Sequence, residues 1–319
     1  MPTHSLLHRI ILLLAVLTEL PAGVLTAAEP VSTGPYLFSY FKDNGEDGLH
    51  LAFSEDGNRW TALHQDRSLL APTVGGKLMR DPSIVRGPDG VFRMVWSSSW
   101  ADRGFGYASS PDLMHWSPQQ FIPVNETVPG AANTWAPDLF YDVPSKQFVA
   151  IFATTVPGRF PETDQGGDQN HRLYQVTTKD FKTWSPPTMA MNPGYNSIDG
   201  TLFTANGEIS MIYKDERPGK KRLHQVTAKS LGDKWSTSAD PIIDRDWVEG
   251  PTVLRLKDRW RVYFDCYTKG HYGAAESTDG QHWADVTDLV KFPKGARHGT
   301  TFTVPREVLE KLQALPAVE

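Results

Sequence analysis

A turn and a strand start, each recurring five times, constrain this chain more than anything else in it. The turn has the form Ser/Thr-x-Asp-x-x-x-Trp and occupies residues 54–60, 110–116, 178–184 and 277–283, with a degraded copy over 229–235. Its Asp suits a tight turn, and its Trp can anchor the returning strand. Interleaved with the turns, five short apolar strands open on a polar, mostly ionisable residue. They read Arg80-Asp81-Pro82, Trp135-Ala136-Pro137-Asp138, Ile198-Asp199-Gly200, Glu249-Gly250-Pro251 and Arg297-His298-Gly299. The gaps between Asp81, Asp138, Asp199, Glu249 and His298 are 57, 61, 50 and 49 residues. A recurrence of this period marks a repeated supersecondary unit.

The remaining pattern is strand from end to end. Residues 35–41, 49–53, 92–97, 148–154, 209–214 and 261–266 are short runs rich in aromatic and β-branched residues, separated by Gly, Asp, Asn and Pro. One helix is expected, over 306–315, where Val308, Leu309, Leu312 and Leu315 fall at helical spacing. Each repeat therefore holds about four strands, the content of one propeller blade. The expected fold is all-β, a five-bladed β-propeller. The last strand start has no three strands after it, and the strands before residue 65 have no such start before them. Closure is expected to pair the N- and C-terminal strands, with 300–304 innermost in the blade completed by 35–65. In such a ring the five strand starts converge on one channel mouth. Like charges brought together disfavour one another's ionisation, so a cluster of this kind points to a metal or a proton-transfer task.

The net charge of −5 comes with no basic block, which speaks against nucleic acid as a partner. Cys266 is the single cysteine, so no internal disulfide can form; it reads as a packed thiol. Residues 1–28 have the pattern of a secretory signal peptide: His8 and Arg9, an apolar run over 10–17, and small residues at Thr26, Ala27 and Ala28. That leaves 29–319 as a single catalytic domain, secreted or periplasmic, with no membrane span and expected to be a monomer.

Taken together, the five strand starts resemble those of glycoside hydrolase family 43, five-bladed propeller enzymes acting on arabinose- and xylose-containing polysaccharides. The likeness covers nearly the whole mature chain with its motifs in family order, although Gly200 stands where many relatives have Pro. It implies an inverting glycosidase in which Asp81 is the general base, Glu249 the general acid, and Asp199 the carboxylate that raises the pKa of the acid. It implies an oligo- or polysaccharide substrate, with α-L-arabinofuranosidase activity ahead of β-xylosidase. The other readings are an exo-acting galactan hydrolase and a non-catalytic carbohydrate-binding propeller. Trp135, Asp138, Trp100, Arg297, His298 and Tyr195 are the candidate substrate-binding residues, with Phe105 a further stacking candidate. No cofactor is required on this reading; a calcium ion held through water near His298 in the central channel is the optional one. The loops 98–106, 128–136, 157–172 and 266–274 are expected to choose the sugar. His171 reads as an ordinary loop residue.

Overall fold

Beyond Met1, the computed structural model describes residues 34–164, 169–238 and 240–316. The leader expected over 1–28 otherwise lies outside the described residues. The strands run β1 (Tyr36–Tyr40), β2 (His50–Ser54), β3 (Thr61–Ala62), β4 (Arg80–Arg86), β5 (Phe92–Ser97), β6 (Phe105–Ser110) and β7 (Gln120–Ile122). They continue with β8 (Trp135–Asp142), β9 (Gln147–Thr154), β10 (Arg172–Thr178), β11 (Thr188–Met191), β12 (Ser197–Ala205), β13 (Glu208–Asp215) and β14 (Arg222–Ala228). Last come β15 (Glu249–Arg255), β16 (Trp260–Cys266), β17 (His271–Ser277), β18 (Ala284–Asp285) and β19 (Thr301–Thr303). They pair in five antiparallel sheets, β19-β1-β2-β3, β4-β5-β6-β7, β8-β9-β10-β11, β12-β13-β14 and β15-β16-β17-β18. The fold is a five-bladed β-propeller.

The closing blade forms as the sequence predicts. Phe302 on β19 lies opposite Leu37 on β1, and flanking backbone bonds run from Ser39 N–H to Thr300 and from Val304 N–H to Pro35. Pairing the two ends of the propeller in one sheet closes the ring of blades. The helix α1 (Arg306–Gln313) follows and buries Val308, Leu309 and Leu312.

The repeated turn has one local geometry. In each complete copy the Asp accepts two backbone N–H groups: Asp56 from Asn58 and Arg59, Asp112 from Met114 and His115, Asp180 from Lys182 and Thr183, and Asp279 from Gln281 and His282. The residue after each Asp takes a positive φ: Gly57 76°, Leu113 67°, Phe181 57° and Gly280 70°. Where the motif is degraded, at 229–235, the blade has three strands among the described residues, with a bridge between His224 and Pro241 at its outer edge.

Five apolar clusters fill the five blade junctions, and the turn Trp enters each: Trp116, Trp184, Trp235, Trp60 and Trp283. Trp60 is buried and the other four are partly buried; complete burial of a Trp removes roughly 150–250 Å² from water, about 4–6 kcal/mol at about 25 cal/mol per Å². The recurring Trp therefore welds one blade to the next and stays away from the channel. Phe105, a candidate for sugar stacking, is fully buried in one of these junctions and is a core residue. Cys266 is buried too, and burial pushes its thiol up to about 11.

Candidate active site

Each innermost strand carries one extra residue at its mouth. Arg80 lies opposite Ser97, but Ser83 lies opposite Val95; Trp135 and Asp138, Ile198 and Thr201, and Glu249 and Thr252 show the same slip against their partners. The fifth strand repeats it, with Arg297 opposite Phe41 and Thr301 opposite Phe38. Three residues facing two is a β-bulge, a device that re-aims side chains. The bulged residue is left-handed in four blades: Asp81 (φ 52°), Ala136 (45°), Asp199 (54°) and Gly250 (56°). For a residue with a side chain this conformation costs roughly 1–3 kcal/mol, and such strain clusters at functional sites. At Gly250 a Cβ would also lie 2.4 Å from Cγ of His298, so only glycine admits that ring.

The bulges sort the strand starts into rows. Arg80, Trp135, Ile198, Glu249 and Arg297 occupy the first; Asp81, Ala136, Asp199, Gly250 and His298 the second; Ser83, Asp138, Thr201, Thr252 and Thr300 a deeper one. This corrects the expectation of five equivalent polar positions. Pro82, Pro137, Gly200, Pro251 and Gly299 are the residues that share a register, so aligning the motifs on Pro or Gly, and not on the acid, would have found the rows from sequence.

A cavity of about 480 Å³ opens at the channel mouth and is lined by members of the first two rows, among them Asp81, Asp199, Glu249, Arg297 and His298. His298 stands between the carboxylates, its Nδ1 3.3 Å from Asp81 Oδ1 and 3.9 Å from Asp199 Oδ2. Burial opposes its charge, but Asp199 and Asp81 win and lift it to about 9. Asp81 also accepts the Ser97 hydroxyl at 2.7 Å, and that hydroxyl in turn accepts the Ala136 N–H at 2.8 Å. Burial raises Asp81, yet His298, Arg80 and Ser97 together hold it below the usual carboxylate range. Asp199 accepts the Gly250 N–H at 3.1 Å, and burial pushes its carboxyl up to about 6.

Glu249 departs from expectation. Lys214 Nζ lies 2.8 Å from its Oε2 and Arg297 Nη2 3.0 Å from its Oε1. Burial raises it, but the Lys214 charge and hydrogen bond, with His298 and Arg297, outweigh burial and hold it below the usual range. The resting site thus makes Glu249 an anion, whereas the resemblance implied that Asp199 would keep it protonated. The missed signal was Lys214, a cation near the mouth end of β13 that follows the run Met211-Ile212-Tyr213 and is 1% exposed. Arg297 is further anchored by Asp265, Nε to Oδ2 at 2.7 Å.

Trp135 and Trp100 meet edge to face at the cavity wall, and Trp135 donates to the Trp100 carbonyl at 2.7 Å. Trp100 is half exposed; Arg80 lies 4.1 Å over its ring, and Asn44 accepts from both. His171 is fully buried with its ring 4.4 Å from Trp135, and burial lowers it to about 4, so it is a neutral backing for that platform and not an ordinary loop residue.

Two candidates fall elsewhere. Asp138 sits in the deeper row, where Ser83 accepts the Leu139 N–H, Thr252 the Thr301 N–H and Thr300 the Ile84 N–H. Asp138 takes the same place, accepting from Leu202 N–H and from the Ser83 and Thr201 hydroxyls, so it staples neighbouring blades below the cavity. Burial raises its carboxyl to about 6. Tyr195 lines an adjoining recess of about 350 Å³, under Arg217 at 3.8 Å and bonded to the Tyr213 hydroxyl at 2.9 Å.

The donor set does not suit a directly held calcium ion. Calcium takes six to eight oxygens, and the centre of this site is the His298 ring, with Nδ1 3.3 Å from Asp81 and 3.9 Å from Asp199. Among the described residues no three His, Cys, Asp or Glu side chains are grouped to hold a metal. Nor, among the described residues, is any helix long and apolar enough to cross a membrane.

Residues 32–310 match the family model described as a probable glycosyl hydrolase domain, of the family 43-related type. The chain belongs to this glycosyl hydrolase family. An α-L-arabinofuranosidase of Bifidobacterium longum is 25% identical to this glycosyl hydrolase domain over 216 residues, 59% of the chain; the match spans only 20% of that relative. Similar solved structures include an α-L-arabinofuranosidase from Clostridium thermocellum, 14% identical with a TM-score of 0.59 over 83% of this chain and 94% of that one. An exo-β-1,3-galactanase from Phanerochaete chrysosporium is 12% identical, with a TM-score of 0.52 over 68% and 52% of the two chains. At these identities the structures establish the shared propeller.

Proposed function

We propose that the chain is an inverting exo- or side-chain-acting glycosidase, with α-L-arabinofuranosides as its substrates. The observation that carries this is the meeting of Asp81, Asp199 and Glu249 around one cavity with the His298 imidazolium among them. Asp81, kept ionised, suits the base that takes a proton from the attacking water. Glu249 is the acid that protonates the leaving oxygen, and Asp199 orients and tunes it. Arg297 holds Glu249 in place, and the Trp100–Trp135 pair offers a face for a sugar ring. The arabinose preference is supported by the Bifidobacterium relative, an α-L-arabinofuranosidase. The galactanase of like fold keeps an exo-acting galactan hydrolase as the second reading. The cavity is complete within one chain, in keeping with a monomer, and the pattern of residues 1–28 supports secretion or a periplasmic location.

A panel of nitrophenyl α-L-arabinofuranoside, β-xyloside and β-galactoside tests the substrate class. Arabinofuranoside turnover at least about tenfold above the other two in kcat/KM is expected, a difference of about 1.4 kcal/mol in transition-state binding. Turnover of the galactoside alone would transfer the assignment to galactan, and no turnover of any would favour a binding propeller.

A further inference from the structure

Lys214 lines the cavity as a cation to which the sequence reading gave no task. It stands on β13 opposite Ile198, almost wholly buried, with its ammonium shared between two carboxylates. Glu249 Oε2 is 2.8 Å away and Glu216 Oε2 2.7 Å away, while the Tyr267 ring lies 4.6 Å off. Glu216 is held from its other oxygen by Lys221. Glu249 therefore has a cation on each oxygen, Lys214 on one and Arg297 on the other. The other charged or titratable groups facing it are Asp199 from β12, Asp265 from β16, Tyr272 from β17, Tyr267 and His298. An acid catalyst has to carry a proton before it can give one, and a carboxylate clamped by two cations takes one up poorly.

We propose that Lys214 is a positioning residue whose sharing between Glu216 and Glu249 sets how readily Glu249 takes up the proton that it hands to the leaving oxygen. This rests on Glu249 being the acid. When the ammonium leans toward Glu216, Glu249 loses one of its two cations and accepts a proton from solvent. That proton passes to the glycosidic oxygen as the bond from carbon to the leaving oxygen breaks. The attacking water gives its oxygen to the sugar carbon and a proton to Asp81, which returns it to solvent. Lys214 and Glu216 then have opposite effects. Removing the ammonium eases protonation of Glu249; removing Glu216 leaves the ammonium wholly to Glu249 and hinders it.

Two variants read this out, Lys214→Met and Glu216→Gln. The alkaline limb of kcat/KM against pH is followed on a nitrophenyl glycoside. The Glu249 carboxyl is titrated in parallel by ¹³C NMR, its signal assigned by its loss in Glu249→Gln. Lys214→Met is expected to move limb and titration up by about one to three pH units, and Glu216→Gln to move both down. Limbs and titrations that stay in place, or that move the same way in both variants, overturn the proposal even in an active enzyme. Should Lys214→Met lose its cooperative melt, Glu216→Gln decides alone, and an unmoved or raised Glu249 titration overturns the proposal. If the titrations diverge as expected but no glycoside is cleaved, the control of Glu249 by Lys214 stands and its role as the acid of a glycosidase falls.

Discussion

Glu249→Gln is expected to lower kcat/KM by about a thousandfold or more on an oligosaccharide whose leaving group is a sugar hydroxyl, within the 10²–10⁴ that a positioned acid contributes. On a dinitrophenyl glycoside the same variant is expected to lose little. A dinitrophenolate departs without a proton, so the acid has nothing to supply there. The fold should survive, since glutamine keeps the shape of the side chain and its amide oxygen can still accept from one of the two cations, Lys214 or Arg297, that bond the two carboxylate oxygens. Steady-state kinetics on both substrates checks this. An equal loss on the two would mean that Glu249 does something other than protonate the leaving group.

Asp81→Asn is expected to behave differently. The base acts on water, whatever the leaving group, so kcat should fall by about 10²–10⁴ on the oligosaccharide and on the dinitrophenyl glycoside alike. KM should change little, because the loss is confined to the transition state. Asparagine preserves the bond from the Ser97 hydroxyl but gives up the charge that His298 faces at 3.3 Å. A deficit that vanished with the activated leaving group would exchange the roles of Asp81 and Glu249. Both variants change one atom type at nearly constant volume, which keeps the effects in the chemistry and out of the core packing.

Much of the propeller was legible because its repeats are local. The Asp of each turn accepts N–H groups two and three residues on, and the Trp follows within the same seven residues, so pattern and structure coincide at 54–60, 110–116, 178–184 and 277–283. Closure through β19 was legible as well, since the count of strands at the two ends left one arrangement. The rows inside the channel were not. They depend on a one-residue bulge, and a slip of one residue sends a side chain to another face. For that reason Asp138 was grouped with Asp81 and Asp199 although it lies below them and takes the place of a Ser or Thr hydroxyl in the staple between blades. Tyr195 was misplaced for a related reason: nearness in sequence to Asp199 does not say on which side of the rim a ring falls.

Charge at the site was the least legible part. The strand starts showed the acids, but the partners that decide their protonation come from second strands and from far along the chain. Lys214 is on β13 and Asp265 on β16, each paired across its own sheet to an innermost strand. No spacing rule links Lys214 to Glu249, 35 residues on. Nor does sequence show that His298, lifted to about 9, would stand as a cation between Asp81 and Asp199.

The central claim is that water attacks the sugar directly, with one carboxylate as base and another as acid, and that no sugar is ever bonded to the protein. Time-resolved ¹H NMR of the first sugar released from an α-L-arabinofuranoside tests it most directly. Direct attack puts the hydroxyl on the opposite face, so the β-anomer should appear first and then mutarotate. Release of the α-anomer would instead require a covalent glycosyl intermediate and would contradict the roles given to Asp81 and Glu249.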